Sequence, residues 1–268
     1  MALSGAKILI GLLAIAASGL VVPAAAAADI TVRQLSEALF KATIDSPADF
    51  SGKNLGGLDL AGLDFKSAHL SGADLYGADL SEVNLAGSDL SGVRLDRSTI
   101  TRTEFSSAKM ENATILRPSA YTGLAPDWRE APRFAGARMA GVRLFGRFDY
   151  VDFRWADMTG AKLVGTDGRD ESTSMGRGSF KGANFSEAVL KDANFGGSNF
   201  LFAKFVGADL RGAILRNTDL SKADLSGADL TGADVTGADL DEANFKGAKG
   251  FDQMLGLAEA RNVDRVLK

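Results

Sequence analysis

Cysteine is absent from this 268-residue chain, histidine occurs once, tryptophan twice and proline five times. Without cysteine there is no disulfide framework, thiol nucleophile, iron–sulfur cluster or zinc finger. A single histidine nearly removes imidazole acid–base chemistry. The scarcity of proline, set against 31 glycines with no three-residue period, excludes a collagen and argues against a Pro/Gly linker. A formal net charge of -4 supplies no general attraction to nucleic acid. The remainder is 46% hydrophobic and 24% charged, an ordinary globular composition that excludes disorder for the bulk of the chain.

The N-terminus reads as an address. Lys7 is the only charge before Asp29, residues 8–22 form an apolar run, Pro23 ends it, and five alanines follow. A basic start, an apolar centre of about 7–15 residues and a small-residue exit describe a secretory signal peptide. Residues 1–28 are therefore expected to be removed after Ala28, placing the mature chain, net charge -5, in the periplasm or outside the cell. A retained segment would be a short anchor, because a span needs about 20 apolar residues. No stable membrane span is expected after cleavage.

Beyond this segment the period is five, neither 3.6 nor 2. Large apolar residues recur without a miss from Phe50, Leu55 and Leu60 to Ile115, resume at Phe134, Met139 and Leu144, slip by one residue to Phe148, Phe153, Met158 and Leu163, and run again from Phe180 to Phe245. These make 35 centres, 29 of them Leu or Phe. Two residues before each centre stands a small residue, Ala in 20 cases; the exceptions are Lys53, Leu58, Leu63 and Pro132. The residue just before the centre is often Asp or Asn, and the residue two after it is often Gly, as at Gly72 and Gly227.

In extended chain, residues i and i−2 share a face, so the centre and its small partner point inward while the intervening Asp points out. A straight strand would send the next centre to the opposite face, so the chain must turn between centres, where Gly tolerates the turn. A helix fails because five residues rotate it by about 500°, and the centres drift around it. What remains is a coil that turns in one sense every five residues and stacks on itself at the strand spacing of about 4.8 Å.

The stretch ADLSGADLTGADVTGADL at residues 223–240 resembles the pentapeptide-repeat family, whose pattern is A-(D/N)-L-x-x. The resemblance covers residues 50–249. It implies an all-β fold, a right-handed quadrilateral β-helix with four repeats per coil, to which short terminal cap helices are added. Thr31 and Gln34 form a candidate capping box ahead of the apolar stripe Val32, Leu35, Leu39 and Phe40, so residues 29–49 read as an N-terminal cap helix and lead-in. Residues 250–268 read as a C-terminal cap, with Asp252 capping a short helix to about Ala260, with Phe251, Met254 and Leu255 packing back, and with a last strand from Asn262 to Leu267. Two excursions break the repeat, at about residues 116–133 and 164–179.

Catalytic motifs are missing. His69 precedes a centre and should face outward alone; the glycines between 165 and 178 lack the G-K-(S/T) of a phosphate loop; the outward aspartates fall on different sides of each coil. No enzyme activity, metal or cofactor is expected. The informative region is the middle. Residues 116–163 carry a net charge of +3 and four of the five Trp and Tyr residues. Trp, Tyr and Arg dominate binding hot spots, so Tyr121, Trp128, Arg143, Arg147, Tyr150, Arg154 and Trp155 are the candidate protein-binding residues. The alternative is that the first excursion folds onto the coil and uses its aromatics as a cover.

The leading reading is an exported, non-enzymatic solenoid acting as a protein-binding or scaffold module in the bacterial envelope. Its partner is an unknown protein or envelope component; direct nucleic-acid binding is not expected, and a homodimer is compatible with such a rod. The resemblance also implies a second reading. Some family members resemble a DNA duplex in width and acidity, bind DNA gyrase and confer fluoroquinolone resistance, some with two projecting loops. The signal segment and the basic middle depart from that pattern. N-terminal sequencing of the native protein is expected to begin at or within a few residues of Asp29, in the periplasmic fraction. An intact Met1 in the cytosol would overturn the export reading.

Overall fold

A computed structural model describes residues 27–65, 67–163 and 178–268. The expected signal segment lies almost wholly outside the described residues, as does most of the second excursion. The described residues from 48 onward, apart from a projecting segment at 121–130, pair as a parallel coil. Asp49 pairs with His69, Asn54 with Asp74, Asp59 with Asp79 and Asp64 with Asn84, and the series continues with His69 to Asp89. Four pairing columns, named here after their first members Asp49, Asn54, Asp59 and Asp64, thus complete one turn. Each link carries hydrogen bonds in both directions, for example Leu55 N–H to the Asp74 carbonyl (2.8 Å) and Asp74 N–H to the Lys53 carbonyl (2.9 Å). Among the described residues three stretches extend beyond one paired residue: β1 (Thr114–Leu116), β2 (Arg143–Phe145) and β3 (Lys162–Leu163), parallel neighbours in that order.

The sides meet at tight turns. The amide three residues after a centre donates to the centre's carbonyl, as Ala73 does to Leu70 (3.0 Å). The residue two after the centre has positive φ, the condition of a type II turn: Gly72 (66°) and Gly227 (68°), but also Glu82 (61°), Asn112 (59°) and Lys222 (57°). The outward Asp or Asn has a definite task at this turn. The Asp74 carboxylate accepts the amide of Tyr76 (2.9 Å), and that of Asp79 accepts both the amide (2.9 Å) and the hydroxyl (2.6 Å) of Ser81. Where the outward residue is Asp or Asn, as here, its side chain is an Asx-type cap on the turn that follows.

The core is the repeat made physical. Every centre with a described side chain is buried, and the alanines two before them are buried with them where the coil is regular. Leu58 and Leu63, exceptions to the small-residue rule, lie in the first coil and pack against the apolar cluster that includes Leu35 and Leu39 of the N-terminal helix, so the space a neighbouring coil would fill is taken by larger side chains. On the Asp64 column, Phe105, Phe134, Phe153, Phe185 and Phe205 form one ring stack, with successive centroids 4.7, 5.2, 4.9 and 5.0 Å apart. On the Asp59 column Phe148, Phe180 and Phe200 stack at 5.5 and 5.1 Å. Strand spacing brings like rings into contact distance, and both stacks run across the second excursion.

The ends and irregularities correct several expectations. The helix α1 (Val32–Lys41) carries the expected reciprocal capping box between Thr31 and Gln34 and buries Leu35 and Leu39, but Phe40 projects into solvent, because it falls on the face away from the coil. The C-terminal cap is three 3-10 turns, Phe251–Gln253, Leu257–Glu259 and Val263–Arg265, in place of one helix and a strand. Its bridges fall at Lys249, Leu255, Arg261 and Leu267, so the last coil has six-residue sides. A 3-10 turn aligns residues three apart; Phe251 and Met254 turn to the core, whereas Leu255 is exposed and does not pack back. The first excursion begins later than expected. Ser119 still pairs with Thr99 and Ala120 is buried like a centre, so the projecting segment is residues 121–130. The one-residue slip before Phe148 sits at Gly146 (φ 147°), where a Cβ would stand 3.1 Å from Pro118. Leu225 lies at 0% exposure between coils, so Leu225→Asp is expected to cost more than about 3 kcal/mol, while Ser226→Lys, on the outer turn, leaves stability nearly unchanged. Equal thermal shifts for the two variants would refute the five-residue register.

Candidate functional site

The segment 121–130 leaves the coil above the Asp59 column and is closed on itself by Glu130, whose carboxylate accepts the Thr122 amide (2.9 Å) and hydroxyl (2.5 Å). The Thr122 hydroxyl holds the Glu130 carboxyl below its usual range. Two residues pin the loop to the coil. Tyr121 turns inward against the core and its hydroxyl donates to the Asp149 carbonyl; burial pushes that hydroxyl's pKa strongly upward. Arg147 donates from Nη1 to the Leu124 carbonyl (2.8 Å). What projects is apolar: Leu124 is 96% exposed and Trp128 67%, the latter with the Arg129 guanidinium 5.4 Å from its ring centre.

The two readings of the middle region therefore divide residue by residue. Tyr121 acts as cover; Trp128 is presented to solvent. Tyr150 (φ 61°) and Trp155 (φ 58°) occupy turn positions two after Phe148 and Phe153, where the backbone is left-handed. They stand at the two corners that flank the Asp64 column, 48% and 59% exposed. The Tyr150 ring lies over Gly182 of the next coil, where an added Cβ would be 2.8 Å from the ring. Arg154 stacks on Trp155 (5.0 Å) and is held by Asp152 through two hydrogen bonds of 2.9 and 2.7 Å. Arg143 is not part of this group. It lies in β2 on the Asn54 column, two columns from Asp152.

Two residues outside the expected set belong to the site. Phe202 (φ 61°, 55% exposed) takes the same corner as Tyr150, two coils further on. The signal was available, since Phe202 stands two after Phe200 where the repeat calls for Gly, but it falls outside the span rich in Trp and Tyr. Asp149 is nearly fully buried; its carboxylate accepts the Ser179 hydroxyl and the Lys181 amide (2.9 Å), and so ties down the return of the second excursion. His69 is exposed on the outer surface, between Asp49 and Asp89 in its column. Among the described residues no helix is long and apolar enough to cross a membrane. Asp149→Ala is expected to lower stability by about 1–3 kcal/mol, because a half-buried hydroxyl and an amide lose their acceptor; an unchanged melting temperature would show that the return is held by the backbone alone.

Comparison with known proteins comes to the same pattern. The model of a family described as pentapeptide repeats matches in eight copies, over residues 48–81, 78–115, 179–217 and 215–247. No curated protein matches the chain. Among solved structures, it is similar to HetL, a pentapeptide repeat protein involved in heterocyst differentiation regulation from the cyanobacterium Nostoc sp. strain PCC 7120, at 21% identity over 89% of this chain and 100% of that one, with a TM-score of 0.38. A pentapeptide repeat protein of the Arabidopsis thaliana thylakoid lumen is 32% identical over 34% of this chain and 56% of its own, with a TM-score of 0.29. QnrB1, a plasmid-mediated fluoroquinolone resistance protein, is 18% identical over 75% of this chain and 88% of its own, with a TM-score of 0.36.

Proposed function

The chain belongs to the pentapeptide-repeat family, whose members are right-handed β-helices and in general structural or binding proteins, and from that premise we propose that it is an exported, non-enzymatic quadrilateral β-helix serving as a protein-binding scaffold in the bacterial envelope. The four pairing columns per turn support the quadrilateral form. The apolar run and alanine exit of residues 1–28 support export. One observation carries the binding role: the loop 121–130 is fastened at Tyr121, Thr122 and Arg147 yet holds Leu124 and Trp128 out in water. Fastening a loop while exposing its apolar residues costs solubility and gains nothing for folding, whereas a prepaid loop conformation favours association.

The alternative, a DNA-mimicking topoisomerase-binding protein, is less well supported. A mimic needs free carboxylates in rows, but here Arg211 pairs with Asp209, Arg216 with Asp234 and Arg261 with Asp239. Burial works against the Asp234 carboxylate, yet the Thr236 hydroxyl and amide and the Arg216 guanidinium hold its pKa below the ordinary 3.8. Its charge is committed internally.

Immobilised mature chain, residues 29–268, is expected to retain a discrete periplasmic protein. The double variant Leu124→Ala, Trp128→Ala should lose that capture with its melting temperature unchanged, since both side chains are outside the core. Capture kept by the double variant would remove the loop from the binding surface.

A further inference from the structure

The outward position before each centre is often Asp or Asn, and one column departs from this in the middle of the rod. On the Asn54 column, Asp74 is followed in register by Arg94, Thr114, Arg143 and Lys162. Arg143 stands directly opposite Lys162 in the ladder between β2 and β3. Like charges opposed across strands work against the pairing. The corner that leads from this side toward the Asp59 column adds Arg97 (φ 57°) and Arg117 (φ 54°), one coil apart, at turn positions where the repeat readily supplies Gly. The successive coils with centres Leu95, Ile115, Leu144 and Leu163 thus place Arg97, Arg117, Arg143 and Lys162 on one side of the rod.

These charges are not neutralised within the fold. Arg94, on the same side, is spent on Asp74 (2.6 Å). Arg97, Arg143 and Lys162 are exposed, and among the described residues their side chains have no hydrogen bond or ion pair. The Arg117 guanidinium lies over the Phe145 ring (5.7 Å), a contact that leaves its charge in place. The nearby carboxylates are committed elsewhere. Asp96 accepts the Leu116 amide (3.1 Å), and Glu111 pairs with Arg138 of the next side (2.7 Å). Asp192, in the coil beyond Lys162, leans away from it toward Gly212, where an added Cβ would stand 2.4 Å from its Oδ1. Pairing is most extended here as well, since β1, β2 and β3 form a three-stranded parallel sheet on this column.

We propose that this side of the rod docks on an anionic phospholipid surface. The arrangement of the charges carries the choice. Arg143 and Lys162 lie along the middle of the side and Arg97 and Arg117 along its corner, so the cations form two rows spread over three coil steps, about 14 Å at the strand spacing. Two rows on one side do not converge on a single phosphate, and a polyanion strand offers one row of charges. A layer of headgroups offers phosphates in two dimensions. Each cation near such a surface adds its own attraction, with no pocket and no fixed partner. Loop 121–130 leaves from the neighbouring Asp59 column, so the inference goes beyond the protein-binding reading and does not rest on it.

The test uses the mature chain, residues 29–268, because the apolar run of residues 8–22 would itself enter lipid. At low salt the protein is expected to sediment with vesicles of phosphatidylglycerol and phosphatidylcholine in equal parts and to stay in solution with phosphatidylcholine alone. Added salt should screen the attraction and release it. Arg143→Gln with Lys162→Gln should weaken the partition by about tenfold or more, with a melting temperature that stays the same or rises because the opposed charges are gone. Lys204→Gln with Lys246→Gln, the same change of charge on the Asp64 side, should leave the partition nearly unchanged. Residues 164–177, outside the described residues, carry Asp167, Asp170 and Glu171; the variant Asp167→Asn, Asp170→Asn, Glu171→Gln should bind vesicles like the parent. Vesicle binding seen only in that variant would make the cations partners of an internal segment and overturn the proposal. No binding to anionic vesicles, equal binding to neutral ones, equal loss in the two glutamine doubles, or a preference for soluble polyphosphate over vesicles would each overturn it. So would binding that is lost with Leu124→Ala, Trp128→Ala and kept with Arg143→Gln, Lys162→Gln, or a melting temperature several degrees lower in the latter variant, which would make these charges structural.

Discussion

The structure depends on one constraint: each side of the coil must present its backbone N–H and C=O groups to the coils before and after it at the strand spacing. Buried backbone polar groups left unpaired are too costly to tolerate. A side of five residues leaves room inside for one large side chain and one small one, and the turn to the next side needs a residue that accepts positive φ. The repeat A-(D/N)-L-x-G satisfies all of these at once. Leu fills the axis, Ala avoids crowding it, Asp caps the turn from outside, and Gly makes the corner. Stability accumulates by neighbour contacts in the manner of a one-dimensional array, and ends must be covered. One end is covered by the helix Val32–Lys41, and the other is finished by a wider coil of 3-10 turns.

The same constraint explains why two excursions are tolerated. An excursion that leaves and returns at a corner does not alter the pairing of the sides, so Glu104 pairs with Arg133 across the first and Asp157 with Val189 across the second. The phenylalanine stack continues past both. The coil is thereby continuous on both sides of each excursion. Loop 121–130 can hold an apolar tip in water, and corners can hold aromatic residues in an unfavourable backbone region, because coils on both sides over-determine their positions.

Charge on this surface is mostly local. Aspartates spend one carboxylate oxygen on the turn that follows, and arginines two residues on or one coil away take much of the rest, as in Arg211 with Asp209 (2.5 Å) and Arg94 with Asp74 (2.6 Å). A pair exposed on both sides, such as Arg94 with Asp74, contributes little to stability. It does determine what the surface offers a partner: a patchwork of satisfied pairs, with apolar side chains and the few unpaired cations as the features that stand out.

The five-residue register was legible in the sequence because it is a local condition repeated many times, and a misplaced large residue would break pairing on both neighbours. The capping box at Thr31 was legible for the same reason, being complete within four residues. The loop boundary was less so: Ala120 is too small to stand out as a centre and becomes one through the pairing of Ser119 with Thr99. The C-terminal cap misled because Phe251, Met254 and Leu255 have the spacing of a helix face, and only pairing with the preceding coil, through Leu255 and Arg261, decides for three 3-10 turns. The seven candidate residues show the limit most plainly. Their composition marked the region, but adjacency along the chain says nothing about which column a residue occupies. Coiling carries Arg143 to a different side, half-buries Tyr121 against the core, and brings in Phe202 from two coils away, since residues about 20 apart become neighbours and those ten apart do not.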